Sequence, residues 1–291
     1  MKIPCIKIRW ITTTCFEVLL PNGKNIILDP WTGKCDLEPS MAKDTGFEVN
    51  DFLRCDYVFI SHSHFDHFDI LKELLELKQT DSCGGHVFIP ALSARKLCDL
   101  YDVPLVDITP IYPYETMYLD DITATPLPCR HFGDKGIFVK DTPSQSVRHM
   151  QEAGYSPEAI DLMQMGTLEE TDLAISVNQS NFRFMVLGGR VYRFNNIYKY
   201  CEQFQPNFVI RQVSNGATPQ DYADMIARFC TPIVFPSHHD THHLDKAQNM
   251  TFEEYFAKVN EALERKGAVT RVVNIQPLIW YSIGNYCTSE V

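Results

Sequence analysis

Apolar residues along the chain follow two spacings, and the shorter one defines the first predicted strands. Residues 6–11 alternate apolar positions with charged ones, which predicts a half-buried strand. Apolar runs at 16–20 and 26–28 flank an Asn-Gly dipeptide at 22–23, a sequence typical of a type I′ turn, and together they predict a hairpin. The unbroken apolar run at 57–60 predicts a buried strand.

Helical spacing and capping signals predict the rest of the secondary structure. Apolar residues recur at helical spacing from Ile70, and Thr251 with Glu254 forms a capping box for a helix that ends near Gly267. Other helices are predicted at 92–101, 144–153, 157–166, 197–204 and from 219, and other strands at 87–90, 105–108, 121–127, 173–177, 182–187, 208–213 and 233–235.

One domain over residues 1–291 is expected, because the candidate site residues lie on both sides of the middle of the chain. The polar helices at about 141–171 separate strands and are interpreted as a helical insertion. Met150, Met163 and Met165 on these helices would suit a substrate lid, although methionines on short helices more often fill gaps in a core or contact a partner subunit.

Composition limits the partners of this chain. A hydrophobic content of 45% over 291 residues is enough for a sizeable core. The formal net charge of −11 argues against a broad surface for nucleic acid, which needs basic residues to neutralise phosphates. A small anionic substrate is still compatible with this charge, because local charges at a site can outweigh the net charge of the chain.

The ten cysteines are scattered from Cys5 to Cys287 without a Cys-x-x-Cys pair, which favours reduced thiols in a cytoplasmic protein. The first ten residues interrupt their apolar positions with Lys2, Lys7 and Arg9, unlike a signal peptide. No apolar run approaches the ~20 residues that span a bilayer. We therefore expect no membrane span, and the sequence leaves homo-oligomers open.

The segment SHSHFDHFD, residues 61–69, follows the predicted buried strand at 57–60 directly. It places His62, His64, Asp66 and His67 within six positions. Imidazole and carboxylate are the ligands that suit zinc and neighbouring divalent metals, and packing does not require four of them together. A polar loop with hydrogen-bonded histidines is the alternative, but the pattern favours a metal site at a strand end.

This pattern resembles the signature of the metallo-β-lactamase superfamily. The resemblance implies an α/β fold, a four-layered αββα sandwich in which two sheets meet face to face and the metal site lies along their shared edge. It also implies that Asp29, at the end of the strand at 26–28, braces the metal loop without binding metal. By itself, Asp29 before Pro30 would be an ordinary turn residue.

The same resemblance assigns metal ligands far along the chain. His131 follows the strand at 121–127, and His238 follows the strand at 233–235 within a histidine-rich segment. The implied first site is His62, His64 and His131, and the implied second site is Asp66, His67 and His238.

One position departs from the family pattern. Gly189 stands where the family usually has an aspartate that bridges two metals, and Arg190 follows it. Two close cations repel each other, so we expect a tight first ion and a weak or absent second ion. Without a second ion, Asp66 would be free to act as the general base.

The resemblance implies a hydrolase with one or two divalent ions, zinc first and manganese or iron as alternatives. Such an ion lowers the pKa of bound water toward ~7, which allows attack on an ester, lactone or phosphoester. Arg190 and His239 are candidates for binding a small, anionic substrate. A solvated histidine-rich loop is the alternative for His239.

The start of the chain looks most like the L-ascorbate-6-phosphate lactonase-like branch, although Thr12 replaces a glycine expected there. The alternatives are a phosphodiesterase or nuclease and a non-catalytic metal-binding member.

Overall fold

The computed structural model describes residues 5–33, 43–68, 70–81, 86–101, 108–131, 145–178, 180–189, 196–284 and 288–290. Their strands and α-helices in chain order are β1 (Ile6–Thr12), β2 (Cys15–Leu19), β3 (Asn25–Leu28), β4 (Tyr57–Phe59), α1 (Leu71–Asp81), β5 (His86–Pro90), α2 (Ala91–Tyr101), β6 (Ile108–Ile111), β7 (Met117–Tyr118), β8 (Ile122–Pro128), α3 (Gln145–Glu152), α4 (Pro157–Leu168), β9 (Thr171–Val177), β10 (Arg183–Leu187), α5 (Ile197–Phe204), β11 (Phe208–Gln212), α6 (Pro219–Ile226), β12 (Ile233–Ser237), α7 (Leu244–Gln248), α8 (Phe252–Arg265), β13 (Arg271–Val272), β14 (Tyr281–Ile283) and β15 (Thr288–Glu290).

These strands form two mixed sheets. The first has the order β15-β14-β1-β2-β3-β4-β5-β6, and the second has the order β13-β12-β11-β10-β9-β8-β7. Strands β3 to β6 run parallel in the first sheet, and β10 to β13 run parallel in the second. Parallel neighbours end at one edge of a sheet, so the segments that follow β4 and β12 leave from carboxyl ends, where open α/β sheets place their ligands.

The core has three parts that correspond to the spaces between four layers. One cluster joins residues of both sheets, and the other two join each sheet to its helices. The alternation of side chains along a strand produces this division of the core. At β4, Tyr57 and Phe59 face the cluster between the sheets, while Val58 and the following Ile60 face the helices. The predicted αββα sandwich is confirmed.

The hairpin β2–β3 forms as predicted, but its turn is of another type. The Gly23 amide donates to the Leu20 carbonyl at 3.0 Å, and of the turn residues only Gly23 has a positive φ, at 89°. Pro21 sets the negative φ of the first turn position, so Pro21, Asn22 and Gly23 form a three-residue loop with a left-handed third residue. The type I′ prediction is therefore wrong.

Most predicted elements match within two residues, with a few differences. The helix predicted to end at Gly166 continues to Leu168 as α4. Most of the strand predicted at 105–108 lies outside the described residues, and β6 begins at Ile108. Residues 141–144 of the predicted insertion are also outside them, while α3 and α4 pack together on the helical side of the first sheet.

Candidate metal centre

The first histidine turn begins where β4 ends and lies almost completely buried. The Ile60 amide still donates to the Phe88 carbonyl of β5, and a short 3₁₀ turn then spans Phe65–His67. His62, Asp66 and His67 are only 2%, 6% and 2% exposed. The turn therefore holds its polar groups in a largely buried site.

Asp29 holds this turn in place, as the resemblance implied. Its Oδ1 accepts from the Ser61 amide at 2.6 Å, and its Oδ2 accepts from the Ser61 hydroxyl and from His67 Nδ1, both at 2.9 Å. Because Nδ1 of His67 is engaged, its Nε2 is the atom that faces the centre. Burial lowers the pKa of His67, but Asp29 and Asp66 outweigh burial and raise this pKa to about 9.

The structure brings His62, His64 and His131 together. One ring nitrogen from each lies within 4.8 Å of the others, and the ring centroids are 4.4–5.0 Å apart. Burial lowers the pKa of His62 and of His64 well below the usual value, and the neighbouring histidines lower both pKa values further. The neutral form, which binds metals, is therefore favoured at neutral pH.

Helix α4 orients His64. Nε2 of His64 lies 3.1 Å from the Met163 carbonyl and 3.0 Å from the Thr167 hydroxyl. A carbonyl can only accept, so Nε2 carries the hydrogen and Nδ1 is left to face a metal. A Cβ at Gly166 would stand 2.7 Å from Cδ2 of His64, which explains why a glycine occurs inside this helix.

Asp66, His67 and His238 form a second group, whose ligand atoms also lie within 4.8 Å of one another. Nε2 of His238 is 3.3 Å from Nε2 of His67 and 3.5 Å from Oδ2 of Asp66. Burial raises the pKa of Asp66, while the charge of His67 opposes this shift. Two imidazole nitrogens and a carboxylate oxygen thus point at one small volume.

The second histidine turn follows β12 and contributes differently. His238 has a left-handed backbone, with φ at 63°, and its amide donates to the Thr13 carbonyl at 2.9 Å. His242 stacks on His238 with ring centroids 4.6 Å apart and donates from Nδ1 to the Val213 carbonyl. His243 is exposed.

His239 turns away from both groups. Its residue is 1% exposed, and its ring stacks on Trp10 at 4.5 Å and meets the edges of Phe252 and Phe256. Burial lowers the pKa of His239 to about 4. These contacts favour a packing role, so we leave His239 out of the proposed substrate site. Arg190, the other predicted substrate contact, lies outside the described residues.

The turn between β1 and β2 links the two histidine turns. The Thr14 hydroxyl lies 2.9 Å from Nδ1 of His67. The Asp240 carboxylate accepts from the Thr12 hydroxyl at 2.7 Å and from the Thr13 amide at 3.2 Å, and it pairs with Lys43. Sequence reasoning did not find this link, because its contacts join residues 53 to 228 positions apart.

A buried acidic pair beside the centre was also missed. Glu170 and Asp172 are 5% and 3% exposed. Burial and the neighbouring Asp172 raise the pKa of Glu170 to about 8, and burial raises the pKa of Asp172 to about 6 against the opposing charge of Arg211. Acidic residues at alternate positions where a buried strand begins were the available signal in the sequence.

The residues present fit a divalent metal. Nε2 of His62 is buried without a hydrogen-bond partner among the described residues. Buried polar atoms normally have partners, and six imidazole and carboxylate ligands arranged in two groups supply the donor set that zinc and related ions bind.

The sequence profile described as the beta-lactamase superfamily domain matches residues 24–175, slightly more than half of the chain. The chain belongs to the metallo-β-lactamase superfamily. A UPF0173 metal-dependent hydrolase from Polaromonas sp. (strain JS666 / ATCC BAA-500) is 30% identical over 73 residues, which are 25% of this chain and 25% of that protein. The chain thus matches about a quarter of the length of its curated relatives.

Two solved structures illustrate how widely this fold is used. Igni18, a metallo hydrolase from Ignicoccus hospitalis KIN4/I, is 15% identical with a TM-score of 0.61, over 96% of this chain and 98% of that one. The short form of human tRNase Z is 13% identical with a TM-score of 0.50, over 80% of this chain and 92% of that one. At such identities the likeness shows the fold alone. Among the described residues, no helix combines the length and the apolar character needed to cross a membrane.

Proposed function

We propose that this superfamily member is a metal-dependent hydrolase that acts on a small ester, lactone or phosphoester. The observation that carries the proposal is the convergence of six candidate ligands, in two groups, from the carboxyl ends of β4, β8 and β12. Support also comes from the curated relatives, which are named metal-dependent hydrolases.

In this proposal His62, His64 and His131 hold the first ion, and Asp66, His67 and His238 hold the second. A divalent ion held there would lower the pKa of a water molecule and polarise the bond to be broken. Zinc is the first choice, because three neutral imidazoles and an open position suit it. Manganese and iron are the alternatives that metal analysis must separate from zinc.

The protein side chains supply orientation and proton transfer. Asp66 is buried between His67 and His238, with its oxygens 3.7 Å and 3.5 Å from their Nε2 atoms. When only the first group is loaded, the Asp66 carboxylate is the group placed to orient the attacking water and take its proton. Asp29 and Thr14 keep the His67 ring in its orientation throughout.

The proposed substrate is small and anionic. A small anionic substrate suits an acidic chain whose site carries its own cations. The resemblance to the L-ascorbate-6-phosphate lactonase-like branch makes a lactone the first substrate to test. The proposed location is the cytoplasm, on the ground of the cysteine spacing.

A substrate panel tests the proposal. Purified protein loaded with zinc, manganese or iron is assayed on p-nitrophenyl esters, on lactones and on bis-p-nitrophenyl phosphate, beside a metal-free sample. We expect metal-dependent hydrolysis of at least one class. Absence of bound metal, together with no hydrolysis across the panel, would instead support a non-catalytic member.

Phosphodiester cleavage is the second candidate. The net charge predicts no nucleic-acid partner, but human tRNase Z has the same fold, so the fold is compatible with an RNA substrate. The panel therefore includes a short single-stranded RNA. Cleavage of the phosphodiesters without hydrolysis of esters or lactones would assign the chain to that class.

A further inference from the structure

Glu170 lies beside the glycine pair at positions 188 and 189, the second of which replaces the expected bridging aspartate. The recorded register of β9 and β10 ends with Val186 opposite Leu173, before Glu170 and Gly189. Past that point the contact is made by Gly188, whose added Cβ would lie against Oε1 of Glu170. A carboxylate is thus present next to the position from which the expected one is missing.

The space at the end of β10 explains why the carboxylate is not at position 189. A Cβ on Gly189 would lie 2.6 Å from Sγ of Cys129 and 2.9 Å from the Arg130 carbonyl oxygen, so an aspartate does not fit there. A Cβ on Gly188 would lie 2.6 Å from Oε1 of Glu170. The two glycines therefore leave room for the side chains of Cys129 and Glu170.

Glu170 is held beside the first histidine turn and lacks a partner for one of its oxygens. The amide of the next residue, Thr171, donates to the Ser61 carbonyl at 3.0 Å, directly before His62. Glu170 is 5% exposed, and its Oε2 has no hydrogen-bond partner among the described residues. By contrast, Oδ1 of Asp172 accepts from the amides of Gly188 and Gly189. A buried carboxylate oxygen without a partner is costly unless a cation satisfies it.

We propose that Glu170 is the carboxylate ligand that completes the second metal site, together with Asp66, His67 and His238. This inference rests on the metal centre proposed above. The Glu170 oxygens are not within the 4.8 Å spacing that unites the other three ligands, so binding of the ion by Glu170 requires a rotation about its side-chain torsions. Its negative charge offsets the repulsion between two close cations, which Gly189 cannot do.

The test counts zinc ions and measures their affinities by titrating the metal-free full-length chain with Zn²⁺. We compare the unaltered chain with Glu170→Gln and with Glu169→Gln. The latter removes the neighbouring charge, whose carboxylate accepts from the Leu92 amide. We expect two ions for the unaltered chain and for Glu169→Gln. In Glu170→Gln the first affinity should stay within twofold, and the second should fall at least about tenfold.

Thermal melting of the same proteins gives a readout that does not depend on activity. Metal-free Glu170→Gln should melt no lower than the unaltered chain, because the amide replaces a carboxyl group whose ionised form is costly to bury, while zinc should raise its melting temperature less. Glu170→Gln that binds zinc with the same count and both the same affinities as the unaltered chain would overturn the inference. An unaltered chain that binds no zinc would overturn the proposed metal centre itself.

A second variant keeps the inference testable if Glu170→Gln does not fold. Gly188→Ala retains every charge but places a methyl group against Oε1 of Glu170, and Gly188 has no positive φ that would strain an alanine. We expect this variant to weaken the second zinc ion and leave the first unchanged. Two unchanged zinc affinities in folded Gly188→Ala would count against a ligand role for Glu170.

Discussion

Two histidine-rich turns follow buried parallel strands in this chain, and they use their histidines differently. The first turn, residues 61–67, sends all four of its candidate ligands into the centre. The second, residues 237–243, sends only His238, while His242 supports it, His239 joins an aromatic cluster and His243 is exposed.

Backbone conformation accounts for this difference. In the first turn, a 3₁₀ segment and the Asp29 bonds direct Asp66 and His67 to the same side. In the second turn, the left-handed His238 reverses the chain, so the next ring meets Trp10. Histidine density marks a candidate site, but the local chain path decides which rings reach it.

The largest difference in activity between variants of the two turns is expected for His64→Ala and His243→Ala. His64→Ala removes a ligand of the first ion, so metal-dependent hydrolysis should fall at least about 100-fold, beyond the loss typical of supporting residues. Circular dichroism should show that the variant is folded. His243→Ala removes an exposed ring and should leave metal content and activity unchanged. An unchanged rate in His64→Ala would refute the ligand assignment.

Neighbouring rings within the second turn should give opposite results. His238→Ala should lose the second ion, an affinity loss of about 100-fold, with little change in the stability of the metal-free chain. His239→Ala should keep its metal content but lose about 2 kcal/mol of unfolding free energy, because it empties a buried aromatic contact. Elemental analysis and urea denaturation measure these effects. Loss of metal in His239→Ala would contradict the packing role of His239.

The aspartates that brace the two turns provide the next comparison. Asp29→Asn places an amide against donors from Ser61 and His67, so metal affinity should fall about tenfold or more. Asp240→Asn disturbs Thr12, Thr13 and Lys43, none of which is a candidate ligand, and should lower stability more than affinity. Zinc titration and denaturation of both variants separate the roles. Equal affinity losses would mean that the turns are braced alike.

The smallest expected effect concerns the contact between α4 and the first turn. Gly166→Ala forces a methyl group against His64 and the Ser63 backbone, which should cost about 1–3 kcal/mol of stability. The displaced His64 ring should also weaken the first ion a few-fold. Leu168→Ala, at the exposed end of the same helix, is the control and should change neither quantity much. If Gly166→Ala behaved like this control, α4 would not orient His64.

Local sequence determined a large part of this protein. The run at 57–60 specifies a strand buried on both faces, and the spacing of His62, His64, Asp66 and His67 requires only a few residues of backbone to act as a unit. Caps such as Thr251 with Glu254 also act within one turn of a helix. Such features depend on neighbours in the chain, so they can be predicted without the fold.

Tertiary structure decided the contacts between distant segments. The packing of His239 on Trp10, the support of His64 by Met163 and the position of Glu170 beside Gly188 depend on which strands and helices become neighbours. These contacts join different elements of the assembled fold, so no local pattern along the chain predicts them. Sequence therefore supplied the ligand types, and the assembled sheets selected which of them meet.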